Sequence, residues 1–354
     1  MLKNHKIPIA TSGAYSVAVD LTPLLPHGTN GGVKPLAISL AKSLSVTFPD
    51  FTWSFLTADD NHDEFAFLES ANARRVCVLR RAQTSAGNHS PPKVKLKTRL
   101  GEWATKNLPL PAVSLLKSVY RKLIVHSSLF HRSLSAVNLP PLPVPADLLF
   151  CPLTAPQFYN PHVPIVSVIH DLQYLYYPQF FEAEARYYRD LHFRQATKLA
   201  ARLVCDSNYV RDTVLANTEL DPSRVITIYP RSYRRLPNPS PFDVERTLGR
   251  SNLAREAFLL YPANFWQHKN HEMLLTALGI YYAAHPESKL RVVCSGMPGE
   301  RMLTLQSAAR RIGLTERIIF PGYISDSDLA ALMSACHALI FPSLYEGFGM
   351  PILE

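Results

Sequence analysis

The sequence predicts an α/β protein of two domains, each a mainly parallel sheet layered with helices. Three observations predict it. A chain of 354 residues is long enough to hold two separate cores. Short apolar runs alternate with amphipathic helical stretches in both halves. Between the halves, a segment rich in Pro, Ser and Arg with little hydrophobic periodicity reads as a linker. The expected organisation is therefore a first domain over 1–228, a linker over 229–256 and a second domain over 257–354.

In the first half, "AYSVAVD", "FTWSFLT", "RRVCVLR", "ADLLFCP", "PIVSVIHD" and "ARLVCDS" have the short, β-branched, apolar character of buried strands. Helices are expected from Val33 to Ser45 and from Glu182 to Ala201. Residues 82–145 carry clustered prolines and are read as helices with a mobile loop. After the linker the alternation is clean. "FLLYPAN", "KLRVVCSG", "RIIFPG" and "ALIFPS" are strands. Between them, "NHEMLLTALGIYYAAH", "GERMLTLQSAARRIGL" and "DSDLAALMSACH" are helices, the second ended by Gly313. No short-period repeat and no low-complexity tract interrupts the chain.

With 47% hydrophobic and 18% charged residues, the composition is ordinary for a soluble globular protein. No apolar run is long enough to span a bilayer, and the first residues lack the apolar core of a signal peptide. The five cysteines stand singly, which points to a reducing, cytoplasmic setting without disulfides or a zinc site. The net charge of +9 is uneven. Thirteen Lys or Arg against the single acid Glu102 lie between Arg74 and Ser133, which leaves the remainder mildly acidic. Such a block suits an anionic partner. Within it "AVSLLKSVYRKLIVHSSLF" sets apolar Val113, Leu116, Val119, Tyr120 and Leu123 at helical spacing between cations. That is the pattern of a helix lying in a membrane interface, and equally of a basic helix packed on its own domain. No nucleic-acid-binding motif accompanies the charge, so nucleic acid is not expected as a partner.

Ligands of open parallel sheets bind beyond the carboxyl ends of the strands, and four motifs fall at such places. In "HGTNGGVKPLA", Gly28, Gly31 and Gly32 precede a helix, where bare backbone amides can approach an anion; a plain loop fits as well. In "PIVSVIHD", His170 and Asp171 close a buried strand, so His170 is a candidate to bond a substrate hydroxyl or to serve structurally. In "YPANFWQHKNHEMLL", Lys269 stands just before a helix start, a place that disfavours cations unless an anion joins them there. In "PSLYEGFGMPILE", Gly347 and Gly349 let the amides of Phe348, Gly349 and Met350 turn toward one point. Pro351 suits a first helical turn, and Glu354 in that turn offers acceptors for the vicinal hydroxyls of a ribose or simply complements the helix dipole. Glu346, on the strand side, is placed to face a sugar. "DSD" at Asp326 to Asp328 reads as helix capping and not as a metal motif, and "DDNHDE" at Asp59 to Glu64 as a solvated loop.

"PSLYEGFGMPILE" resembles the E-x7-E signature of retaining glycosyltransferases of family 4, the glycosyl transferases of group 1. "YPANFWQHKNHEMLL" and "FPGYISDSDLAALMSACHALIFPS" look like the motifs that precede it, and "NGG", "VIHD" and "CDSNYVRD" are consistent with the family's first half. The resemblance implies the GT-B architecture, two Rossmann-like domains facing across a cleft, with the donor held mainly by the second. It implies that Lys269 grips the donor diphosphate and Glu354 the ribose. Glu346 and the amides from Phe348 to Met350 would hold the sugar and its leaving phosphate, His170 would touch the sugar, and Gly31 and Gly32 would border the phosphates. Asn264, counted with the donor-binding residues, falls where many members have Arg, so His268 or Arg231 is expected to supply part of the missing charge. The family continues past its second Glu, so the second domain is expected to be incomplete in this sequence, with activity of the chain as given in doubt.

The implied reaction moves a hexose, with mannose suggested by the "ANFWQHKNH" variant, from a nucleoside-diphosphate sugar to a glycan or lipid-linked acceptor in surface polysaccharide or glycolipid assembly. The sugar nucleotide is a substrate, and neither a metal nor another cofactor is expected. The basic region at 74–133 would touch an anionic membrane from the cytoplasm. Two other readings stand beside this one: a nucleotide-sugar epimerase of the same architecture, and an inactive membrane-surface binding protein.

Overall fold

The structure, a computed structural model, describes residues 15–26, 32–81, 139–230 and 236–354. Gly28, Gly31, Arg231, most of the basic block and the segment read from sequence as an interfacial or packed basic helix lie outside the described residues. Met1–Arg80 and Pro141–Glu354 belong to one compact unit, which contains every element named below.

Seven strands form the first sheet: β1 (Ser16–Asp20), β2 (Thr52–Ala58), β3 (Ala73–Leu79), β4 (Leu148–Cys151), β5 (Ile165–Ile169), β6 (Arg202–Cys205) and β7 (Val225–Thr227). All neighbours are parallel, in the order β3-β2-β1-β4-β5-β6-β7, so the strand order reverses between β1 and β4. The six expected strands are present. The seventh, β7, is only three residues long with one fully buried side chain, Val225, too little apolar signal to read from sequence. Helix α1 (Val33–Thr47) packs Ala37 and Ala41 on Val17, Val19, Trp53 and Phe55 on one face of the sheet. On the other face α2 (Gln173–Tyr176), α3 (Ala183–Leu199) and α4 (Asn208–Ala216) cover Ala18, Leu149, Ile165 and Leu203 through Tyr174, Phe193, Ala196 and Val210. Burial on both faces explains why the inner strands β1, β2, β4 and β5 read as continuous apolar runs.

The acidic run at 59–64 is more than the solvated loop expected of it. Asn61 is buried and donates to the carbonyls of Leu21 (3.2 Å) and Leu24 (2.6 Å). Glu64 pairs at 2.6 Å with Lys34, a buried lysine in the first turn of α1. Among the described residues no cluster of His, Cys, Asp and Glu is set to hold a metal.

The second sheet is also parallel: β8 (Phe258–Pro262), β9 (Arg291–Ser295), β10 (Ile318–Gly322) and β11 (Ala338–Leu339), in the order β10-β9-β8-β11. Helices α6 (His271–Ala284) and α7 (Glu300–Arg311) close one face over Tyr261, Val292 and Cys294. The other face, with Phe258, Leu260 and Val293, is covered by α8 (Asp326–Ala335) and by a helix the sequence assigned to the linker, α5 (Pro241–Arg250). Ser240 caps α5, Pro241 opens it, and only Val244, Thr247 and Leu248 are buried. That stripe is too sparse to stand out among polar neighbours, yet burying Val244 and Leu248 gains roughly 1.5–3 kcal/mol for each side chain. Segment 241–250 is therefore part of a core and not a free tether.

The expected capping at "DSD" is built by Ser325 and Asp328. The Ser325 hydroxyl accepts from the Asp328 amide (3.1 Å) and donates to its carboxylate (2.9 Å), while Thr247 of α5 donates to the other oxygen at 3.0 Å. No helix among the described residues is long and apolar enough to cross a membrane.

Candidate active site

In the second sheet the strand order reverses between β8 and β11, and the loops that leave these two neighbours lie side by side. The β8 loop makes a single turn at Gln267–Lys269 before Asn270 enters α6 with a left-handed backbone, φ 58°. Asparagine tolerates that region better than most residues. Its carboxamide donates to the Pro342 carbonyl at 3.1 Å, and the Leu344 amide donates to the His268 carbonyl at 2.8 Å. Between the loops, the hydroxyl of buried Tyr261 donates to the Lys269 carbonyl (2.6 Å) and lies 3.2 Å from Ser343 Oγ. These bonds fix the backbone on either side of one ion pair, Lys269 Nζ to Glu346 Oε1 at 2.5 Å, with the side chains 13% and 24% exposed. Lys269 and Glu346, predicted from motifs 77 residues apart, are thus brought together.

The segment that follows Glu346 is pressed against the first sheet. A Cβ on Gly347 would lie 1.9 Å from the carbonyl oxygen of His170, so no side chain fits there. The Gly347 carbonyl accepts from Ser207 Oγ at 2.6 Å. Gly349 turns the chain at φ 82°, and Met350–Ile352 form one tight turn, after which the Glu354 amide donates to the Met350 carbonyl at 3.2 Å. Met350 Cε lies 2.6 Å from where a Cβ on Gly32 would stand, which brings the end of the glycine loop after β1 to this segment. No acceptor among the described residues is bonded to the amides of Phe348, Gly349 or Met350.

His170 is where the structure corrects an expectation. Its Nδ1 lies 2.6 Å from Asp206 Oδ2 and its Nε2 2.7 Å from the Pro152 carbonyl. Both partners offer acceptor oxygens, an arrangement that favours the doubly protonated ring, in which both nitrogens donate. Neither nitrogen is left for a sugar hydroxyl; what His170 presents to the Gly347 segment is its backbone carbonyl. Burial alone would push its pKa down, but the charge and hydrogen bond of Asp206, the Pro152 carbonyl and the charge of Asp171 outweigh it, and the net shift is upward. The folded state therefore binds this proton more tightly than the unfolded chain, whose histidine titrates near 6.5. The stabilisation is complete below that value and is lost as pH rises through the raised native pKa. In pH-dependent thermal unfolding, the stability gap between wild type and His170→Gln should narrow as pH rises; a widening gap would contradict the assignment.

Two other histidines are neutral. Burial, then the charge of Lys269, pushes His268 down to about 4, so it does not supply the charge expected in place of an Arg at 264. His271, 2% exposed, lies between the rings of Tyr261 (4.7 Å) and Phe265 (5.0 Å) and is also pushed down to about 4, chiefly by burial. Asn264 itself accepts from the Met297 amide at 2.8 Å and ties β8 to the loop after β9.

The sequence missed the aromatic seat around Tyr345, the residue before Glu346. Its ring, 6% exposed, contacts Tyr176 at 5.8 Å, Tyr177 at 5.9 Å and Tyr209 at 5.6 Å. The run "QYLYYP" was the available signal, but spacing along the chain does not reveal contacts across it.

Two parallel, Rossmann-like sheets with a basic and acidic pair at the second switch point define a protein of the GT-B fold. Residues 245–354 match the family model described as glycosyl transferases group 1. It is 27% identical over 203 residues to "O-antigen chain mannosyltransferase B" of Escherichia coli, covering 56% of this chain and 52% of that one. To "O-antigen chain mannosyltransferase RfbU" of Salmonella typhimurium it is 25% identical over 186 residues, 52% of this chain and 47% of that one. The chain thus spans about half the length of these relatives. The solved structure of Anabaena Alr3699/HepE in complex with UDP and glucose aligns over 96% of this chain and 77% of its own, with a TM-score of 0.56 at 15% identity. WaaG, a glycosyltransferase involved in lipopolysaccharide biosynthesis, aligns over 95% and 77%, with a TM-score of 0.55 at 16% identity. At such identities the likeness speaks for the fold.

Proposed function

We propose that the protein is a retaining glycosyltransferase that moves a hexose, with mannose the favoured sugar, from a nucleoside-diphosphate donor to a hydroxyl of a glycan or lipid-linked acceptor. The observation that carries this reading is the meeting of the Lys269 ammonium with the glycine-kinked segment 346–350 at the end of β8 and β11. The relatives' names support mannose and polysaccharide assembly, and the UDP complexes of the structural neighbour support a sugar-nucleotide donor.

In this reading Lys269 leaves or shares Glu346 to bind the diphosphate, whose charge grows as the bond to the sugar breaks. The amides of Phe348, Gly349 and Met350 are the further donors to the leaving phosphate. Glu346, released from Lys269, accepts from sugar hydroxyls, and Glu354 from the ribose. The acceptor enters on the face the diphosphate leaves, a phosphate oxygen takes its proton, and configuration is retained without a protein base. This assignment calls for no metal or other cofactor. The basic region at 74–133 is proposed to meet an anionic membrane surface, on the strength of its charge in the sequence.

A thermal-unfolding panel of UDP-, GDP- and ADP-sugars on the full-length protein tests the donor class, because a ligand of the folded state raises the midpoint by mass action. A shift with one nucleotide family, followed by a glycosidic product of retained configuration, is expected. A shift with none, or an epimerised free sugar as product, contradicts the reading.

A further inference from the structure

We propose that Ser207 is a positioning residue of the transfer reaction: its hydroxyl docks the peptide that carries Glu346 onto the first sheet. The inference rests on the glycosyltransferase reading and deepens it, because nothing in the donor motif itself points to this residue.

Ser207 follows β6 and caps α4. Its hydroxyl accepts from the Val210 amide at 3.1 Å, which is the ordinary service of a serine at a helix start. The same hydroxyl has one proton to give, and gives it to the Gly347 carbonyl at 2.6 Å, 140 residues away in sequence. The backbone at Ser207 is extended, φ −151° and ψ 163°, so neither capping nor conformation demands that second bond. The two residues flanking Glu346 are therefore both seated on the first sheet. Tyr345 lies in the cage of Tyr176, Tyr177 and Tyr209, and Gly347 lies on the His170 carbonyl under the Ser207 hydroxyl. Glu346 itself reaches the other way, to Lys269 of the second sheet.

One peptide thus bridges both sheets, and its carboxylate is aimed by groups that do not touch it. Lys269, which holds the diphosphate in this reading, is bound to the second sheet through bonds that exclude Ser207. Loss of the Ser207 hydroxyl should then leave nucleotide binding in place and slow the chemical step, for which the geometry of Glu346 and the adjacent amides matters.

Ser207→Gly removes the hydroxyl while keeping a residue that serves well at a helix start, and Ser207→Thr keeps the hydroxyl. For Ser207→Gly we expect kcat to fall about tenfold, the scale of one lost hydrogen bond. Nucleoside-diphosphate affinity by calorimetry and the unfolding midpoint should stay near wild type, and Ser207→Thr should recover most of kcat. Wild-type kcat in Ser207→Gly overturns the proposal, as does a loss that Ser207→Thr shares or that falls equally on affinity and stability. Should the wild-type protein turn over no sugar nucleotide, the functional reading falls separately. Amide exchange of residues 345–349 still decides the docking: faster exchange in Ser207→Gly than in Ser207→Thr sustains it, and equal rates overturn it.

Discussion

Replacing Lys269 with alanine is expected to lower the rate of sugar transfer by about two powers of ten or more, the usual cost of deleting one preorganised group at a developing negative charge. The structure gives this loss two sources. The ammonium is the cation that the two loops converge on, held by bonds from Tyr261, Asn270 and Leu344 to backbone on both sides. With His268 neutral and Asn264 committed to the Met297 amide, neither neighbour on the β8 loop replaces its charge. Removal also strips Glu346 of its partner at 2.5 Å and leaves that carboxylate free to repel a diphosphate. Steady-state kinetics with the donor identified by thermal shift will measure the effect. A Lys269→Ala protein within about threefold of wild type would remove the diphosphate assignment.

Gly347→Ala should be nearly as damaging, for a steric reason. The added methyl would lie 1.9 Å from the His170 carbonyl oxygen and 3.0 Å from its carbon, both backbone atoms at the end of β5 that cannot swing aside. The segment must lift off the first sheet, which breaks the Ser207 bond and carries Glu346 away from its place. Overpacking of this kind costs about 1–3 kcal/mol of stability, and transfer should fall by roughly two powers of ten, since an ångström of misplacement at a reacting centre suffices for that. Kinetics and thermal unfolding of the variant, with Gly349→Ala beside it, test the claim. Gly349 is required by its positive φ and has 3.6 Å to its nearest neighbour, so strain and not collision is the defect there. An alanine at 347 with unchanged activity would show that the contact with His170 is dispensable.

What the sequence discloses about this molecule is what local chemistry writes into it. Strands β1, β2, β4, β5, β8 and β9 show as apolar runs because they are largely buried between helices on both faces. Lys269 stands out as a cation at a helix start, and Gly347 and Gly349 as glycines where a loop turns back. What it conceals depends on partners far along the chain. Ser207 stands unremarked within "CDSNYVRD"; in the structure it caps α4, and nothing in its sequence surroundings announces a bond to Gly347. His170 reads as a strand-end histidine open to ligand, because Asp206 and the Pro152 carbonyl, which take its two nitrogens, lie 36 and 18 residues away. Helix α5 is hidden for another reason: three buried residues in ten give it almost no periodic signal.

The most direct measurement is a structure of the protein with a nucleoside diphosphate bound. The β-phosphate should lie within hydrogen-bond distance of Lys269 Nζ and of an amide between Phe348 and Met350, with Gly347 still seated on the His170 carbonyl. A diphosphate bound elsewhere, with Lys269 still closed on Glu346, would contradict the account.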